Sequence, residues 1–225
     1  MAHMSSTSIR SARTPFHFNS AEHLLKIEHQ RATNLGELLE GVRSCSGDCI
    51  FQHTFRTLQE HHFIQEGYSN DFAHWAFFAC NENELAERLA AVDVREFISI
   101  EALRIRIVEV LEEYLGNFQQ VRQRAAIEPF YFCSSSTVVL PTALVARNLQ
   151  EFADALESIS VHSLHYHFIE ARLRLQLSSN DFSKWLGEEM GLKHAAELVN
   201  RIDIYTLTLQ GVRHRILRIV ESVLS

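Results

Sequence analysis

Pro15-Phe16-His17-Phe18 and Pro129-Phe130-Tyr131-Phe132 lie 114 positions apart, and the same shift pairs Asn34-Leu35 with Asn148-Leu149, Glu37 with Glu151 and His53 with His167. A shift of 110 then matches Asn70-Asp71-Phe72 to Asn180-Asp181-Phe182, Trp75 to Trp185, Ala86-Glu87 to Ala196-Glu197 and Asp93 to Asp203. One further step aligns Leu103-Arg104-Ile105-Arg106-Ile107 with Val212-Arg213-His214-Arg215-Ile216. Rare residues recurring in constant order at this spacing point to duplication of a domain-sized unit, because solenoid repeats run to only about 20 to 50 residues. The expected organisation is a tag remnant and disordered N-terminus over 1–14, a first repeat over 15–116, a linker or helix extension over 117–128, and a second repeat over 129–225. His3, inside the Met1-Ala2-His3-Met4 remnant, takes no part in site reasoning.

Within each copy the apolar residues recur at helical spacing. Leu35, Leu38, Leu39 and Val42 form one stripe behind Asn34, a cap-type residue; Leu103, Ile107, Val110, Leu111 and Tyr114 form another behind Ser99. Val212, Ile216, Ile219, Val220 and Val223 mirror the second stripe behind Thr208. The spacing predicts an all-α fold of two tandem pseudo-symmetric repeats, about six helices each, near 21–32, 35–45, 49–65, 71–80, 83–92 and 100–115 and their equivalents. Only the Phe-x-Phe motifs and Thr137-Val138-Val139-Leu140 look extended, too little for a sheet.

Composition narrows the function classes. With 46% hydrophobic residues, 8 Gly and 3 Pro in 225, the chain can bury a core and favours long helices. A net charge of -7 and a pI near 6.0 exclude the overall basic footprint of a duplex nucleic-acid binder. There is no run of about 18 apolar residues to span a membrane and no hydrophobic leader core, so a cytoplasmic protein is expected. The four cysteines (Cys45, Cys49, Cys80, Cys133) contain no Cys-x-x-Cys; Cys45 and Cys49 read as two buried thiols or as half a soft-metal site.

Of the 13 histidines, six cluster in the third helices of the two copies: His53, His61 and His62 in the first, and His162, His165 and His167 in the second. His61, His62, His162 and His165 are the candidate ligands for a divalent metal, although neither His-Glu-x-x-His nor Glu-x-x-His occurs. His53, Arg56 and Glu60 share one helix face, and His167, Glu170 and Arg174 carry the same groups with the charge order reversed. Those six residues are the expected ligand or inter-repeat site, with Arg56 meeting Glu170 and Glu60 meeting Arg174. A buried His beside Arg and Glu would also suit general acid-base work, yet no nucleophile elbow, phosphate loop or carboxylate pair accompanies it. Asn70, Asp71 and Trp75, with Asn180, Asp181 and Trp185, read as a structural motif in which a polar residue caps a helix and the aromatic is buried. Of Arg104 and Arg106, and of Arg213 and Arg215, one each is expected to point inward.

The His53-Thr54-Phe55-Arg56...His61-His62 segment, the two Asn-Asp-Phe-x-x-Trp motifs and Pro129-Phe130-Tyr131-Phe132-Cys133 resemble a bacterial and archaeal family catalogued only as a domain of unknown function. The resemblance spans nearly the whole chain; it implies the fold and cytosolic placement and carries over no catalytic residue. The expected function is a non-enzymatic ligand- or protein-binding regulatory module with its site between the repeats, a monomer or homodimer that meets a small molecule or protein. The alternative is a His-dependent enzyme, with or without a divalent metal, built on the same helices.

Overall fold

Two long strands, β1 (Ser11–Ala32) and β2 (Phe130–Asn148), form a two-stranded sheet and overturn the all-α expectation. The computed structural model describes residues 11–56, 68–175 and 179–225. Side-chain bonds from Thr142 to Phe18 O (2.5 Å), between Thr137 and His23 (3.1 Å) and from Ser134 to Glu28 (2.6 Å) run in opposite directions along the two strands, so the pairing is antiparallel.

The helix expected near 21–32, and its counterpart, are therefore strand. Ala21, Leu24, Leu25 and Glu28 do fall at helical spacing, but intrinsic propensity is a weak preference of under about 1 kcal/mol per residue, and cross-strand pairing overrides it. The partner strand carries the β-branched run Thr137-Val138-Val139, which suits a pleated surface. Pro15 and Pro141 are tolerated because each strand of a two-stranded ribbon has an edge that needs no donor.

Between the strands lie α1 (Leu35–Ser44), α2 (Gly47–Phe51) running into a π turn (Gln52–Arg56), α3 (Asp71–Phe78), α4 (Asn83–Ala90) and α5 (Ile100–Asn117). After β2 come α6 (Leu149–Ser158), α7 (Val161–His165) running into a second π turn (Tyr166–Glu170), α8 (Ala171–Leu175), α9 (Asp181–Glu188), α10 (Lys193–Asn200) and α11 (Leu209–Leu224). Their starts follow local chemistry. Asn34, Asn70, Ser99, Asn148, Asn180 and Thr208 each accept a backbone N–H of the first turn, relieving donors that have no helical partner. α3 and α9 end where Asn81 (φ 56°) and Gly191 (φ 68°) take left-handed backbone, so that Glu82 N–H reaches Ala76 O at 2.9 Å and Leu192 N–H reaches Leu186 O at 2.8 Å.

The chain forms two compact units. Among the described residues, one takes in 22–56, 68–138 and 172–175, and the other 11–21, 139–171 and 179–225. Each strand thus divides between the units, at Ala21 and Glu22 in β1 and at Val138 and Val139 in β2. In the first unit Leu38, Leu39, Phe72, Leu85, Leu103, Leu111 and the strand residue Phe132 are fully or almost fully buried. Gly41 of α1 lies so close to Phe132 that a Cβ there would stand 2.1 Å from the ring. In the second unit Phe18 of β1 is buried with Phe152, Leu164, Phe182, Leu186, Val212 and Ile216. Among the described residues no helix is long and apolar enough to cross a membrane.

Candidate functional site

His53 stands on the π turn that follows α2, and its ring is buried. The Cys133 N–H, on β2, donates to His53 Nε2 at 2.9 Å. An accepting Nε2 carries no proton, so the proton sits on Nδ1, which lies 2.7 Å from Asp71 Oδ2 at the first turn of α3. Phe130 packs 4.7 Å and Phe72 5.5 Å from the imidazole, centroid to centroid. One side chain thereby joins a strand, a π turn and a helix of the same unit.

His167 makes the same set of bonds in the other unit. Asn19 N–H donates to its Nε2 at 2.8 Å, and its Nδ1 lies 2.7 Å from Asp181 Oδ2. Phe16 and Phe182 flank the ring at 5.0 and 5.6 Å. The tryptophans anchor the residues just before each Phe-x-Phe: Trp75 Nε1 donates to Glu128 O at 2.8 Å, and Trp185 Nε1 to Thr14 O at 2.9 Å. Buried polar groups demand partners, and here each polar group of the motif meets the backbone or carboxylate that completes it.

This geometry fixes what the histidines do. A general base needs a free lone pair facing a substrate, whereas His53 Nε2 and His167 Nε2 are each taken by a backbone N–H. Both rings act as clamps that hold a strand onto helices. Asn70 and Asn180 cap their helices, with Ala73 N–H and Ser183 N–H each 2.9 Å from the side-chain oxygen. Asp71 and Asp181 have a role beyond the helix terminus, as the acceptors that orient the imidazoles. Their recurrence beside a recurring His was the signal in the sequence; the pairing itself spans 18 residues in one unit and 14 in the other, which no helical spacing suggests.

Of the remaining expected site residues, Glu60, His61 and His62 lie outside the described residues, as do the side chains of Arg56 and Arg174. Glu170 takes up His165, whose Nδ1 is 2.8 Å from Glu170 Oε1, both buried. The π turn brings residues five apart onto one face, where α-helical spacing had placed Glu170 with His167. His165 and Glu170 together offer one imidazole and one carboxylate; His162 sits half-buried on α7. The inward arginines are Arg104, which bonds Val42 O at 2.6 Å and Glu101 at 2.9 Å, and Arg213, which bonds Glu157 O at 3.1 Å and Ile159 O at 2.5 Å. A surface hollow of about 500 Å³ lined by Leu39, Arg43, Glu112, Leu115 and Arg122, and one of about 380 Å³ lined by Leu192, Lys193, His194, Leu198 and Ile219, take in neither clamp.

A family model matches residues 13–221, a span that includes both clamps. The chain belongs to DUF5752, a family of unknown function. The solved structure of OrfY from Thermoproteus tenax is 34% identical and shares the fold with a TM-score of 0.83, over 95% of this chain and 97% of its own. No curated protein matches. Membership in DUF5752 agrees with the resemblance carried by the Asn-Asp-Phe-x-x-Trp and Pro-Phe-x-Phe segments and brings no catalytic residue with it.

Proposed function

We propose that this DUF5752 chain is a non-enzymatic protein-binding module whose docking element is the middle of the β ribbon. The observation that carries this reading is the exposure of a run of large apolar residues on a ribbon clamped at Asn19 of β1 and Cys133 of β2: Leu24, Leu25 and Ile27 are 63%, 61% and 68% exposed. Val138, on the partner strand of the same unit, is 43% exposed. Because side chains alternate along a strand, Leu24 and Leu25 present apolar surface on both faces of β1. An exposed apolar strand edge is a template for pairing with another polypeptide, and soluble proteins ordinarily blunt such edges. An extended partner segment adding as a third strand would satisfy the outer-edge backbone groups and cover the leucines. The clamps support this reading because they stiffen the ribbon where it enters each unit, lowering the entropy lost on docking.

An acid-base role for His53 or His167 finds no support in the geometry, since each Nε2 already accepts a backbone N–H. The test is affinity capture from a lysate of the source organism with the full chain and with a Leu25→Lys, Ile27→Lys double variant. The expected result is a polypeptide retained by the wild type and lost from the variant, with both showing the same circular dichroism and hydrogen exchange. Equal capture by both chains would overturn the reading. A concentration-dependent dimer dissolved by the same substitutions would make a second copy the partner.

A further inference from the structure

Two thiols stand apart from the clamps and the ribbon. Cys45 closes α1, its backbone N–H on Gly41 O at 2.8 Å, and its side chain is half-buried. Cys49 is fully buried in the first turn of α2. Ser46 caps that helix, its Oγ accepting Cys49 N–H at 3.2 Å, so the two thiols come from the facing ends of successive helices. Only Ser46, Gly47 and Asp48 separate them, and Cys45 Sγ lies 3.7 Å from Val42 O. Arg104 of α5, fixed by Val42 O and Glu101, places Nη1 3.6 Å from Cys45 Sγ.

The other unit separates what the arginine needs from what the thiols add. Arg213 bonds the carbonyls of Glu157 and Ile159 at the end of α6, as Arg104 bonds Val42 O at the end of α1. There Ile159 and Ser163 stand at the positions of Cys45 and Cys49. Neutralising helix-end carbonyls accounts for the arginine in both units; a dithiol stands beside it in one alone.

We propose that Cys45 and Cys49 form a hydroperoxide-responsive dithiol, in which Cys45 is the sulfur attacked and Cys49 the one that resolves it. The Cys45 thiolate attacks the distal oxygen of the hydroperoxide; the O–O bond breaks, sulfur is oxidised to a sulfenic acid, and the peroxide is reduced to an alcohol, or to water when it is hydrogen peroxide. Cys49 sulfur then attacks the sulfenic sulfur, the S–S bond forms, and the departing hydroxide takes the Cys49 proton and leaves as water. A low-molecular-weight thiol reverses the bridge by exchange. The division of labour follows from the environment. The Cys49 thiol first, and then the Arg104 charge, hold the Cys45 thiol down to about 7, whereas the Cys45 sulfur and burial push Cys49 up. Partial exposure lets peroxide reach Cys45, and burial shields Cys49 until its neighbour is oxidised.

Both cysteines, and no other, fall in the tryptic peptide Ser44–Arg56. The reduced full chain is treated with hydrogen peroxide, alkylated with iodoacetamide and digested. The expected product is that peptide two hydrogens lighter, unlabelled and restored by dithiothreitol, with Cys133 still labelled. In Cys49→Ser the oxidation stops at a dimedone-reactive sulfenic acid on Cys45; in Cys45→Ser, Cys49 stays reduced. Without peroxide at pH 7, Cys45 alkylates about tenfold faster than Cys133, because a larger share of it is thiolate. Oxidation of Cys45 no faster than of Cys133, peroxide consumption at Cys49 in Cys45→Ser, or a wild type that gains oxygen without forming the Cys45 to Cys49 bridge would each overturn the proposal.

Discussion

Replacing His53 with Ala removes the imidazole that joins β2, the π turn and α3. The Cys133 N–H then loses its acceptor inside the protein, at a cost of about 1 to 3 kcal/mol. The vacated ring volume faces Phe72, Phe130 and Phe132, and a buried ring lost from such a cluster costs about 2 to 3 kcal/mol more. Asp71 is 37% exposed and rehydrates, so it contributes little. The sum is about 4 kcal/mol, a large part of the roughly 5 to 15 kcal/mol that holds a domain together. Hydrogen-exchange mass spectrometry of a peptide covering residues 130–138 reads it locally, and urea unfolding followed by far-ultraviolet circular dichroism reads it globally. At about 1.4 kcal/mol per decade, exchange should accelerate by nearly three decades. Two further variants separate the bonds. Gln keeps an acceptor near the Nε2 position and Asn a donor near Nδ1, so His53→Gln should retain more stability than His53→Asn if the backbone bond dominates. A His53→Ala chain within about 1 kcal/mol of wild type would refute the clamp, and Asn outperforming Gln would refute the dominance of the backbone bond.

Gly41→Ala should lower the melting temperature, since relieving a 2.1 Å approach to Phe132 costs about 1 to 3 kcal/mol and outweighs the gain in helix propensity of roughly 1 kcal/mol. Trp75→Phe, which leaves Glu128 O without its indole donor, should cost about 1 kcal/mol in urea unfolding. The Leu25→Lys, Ile27→Lys chain should unfold within about 0.5 kcal/mol of wild type, because both side chains are mostly exposed. The depressed Cys45 thiol gives a pH signature. Its folded value lies below the roughly 8.5 of an unfolded thiol, so stability rises from about pH 7 to 8.5 as the thiolate forms preferentially in the native state. Cys45→Ser should flatten that rise in a series of urea unfolding curves. Burial raises Cys80 to about 12, so it should resist iodoacetamide at pH 8 until urea is added.

Much of the helical framework was legible. Asn34, Asn70, Ser99 and Thr208 could be read as caps because side-chain acceptors before an apolar stripe act through neighbours within a few residues. That one arginine of each pair turns inward followed from two-residue spacing on a helix, but only folding selected Arg104 and Arg213. The ribbon was not legible, because Leu24 and Leu25 fit a helix locally and only β2, more than 100 residues away in the chain, makes them strand. For the same reason His53 and His167 could be singled out but not given their role: the partners are Asp71 and Asp181 on other helices and the backbone of Cys133 and Asn19 on the strands.

By itself the sequence determined family membership, the position of most helices and which polar residues recur where apolar ones surround them. Tertiary structure alone decided that the chain between those helices pairs into a ribbon and that the histidines are saturated clamps. Helix caps and stripes are short-range interactions written in adjacent residues, whereas strand pairing and buried hydrogen bonds depend on groups brought together only by folding.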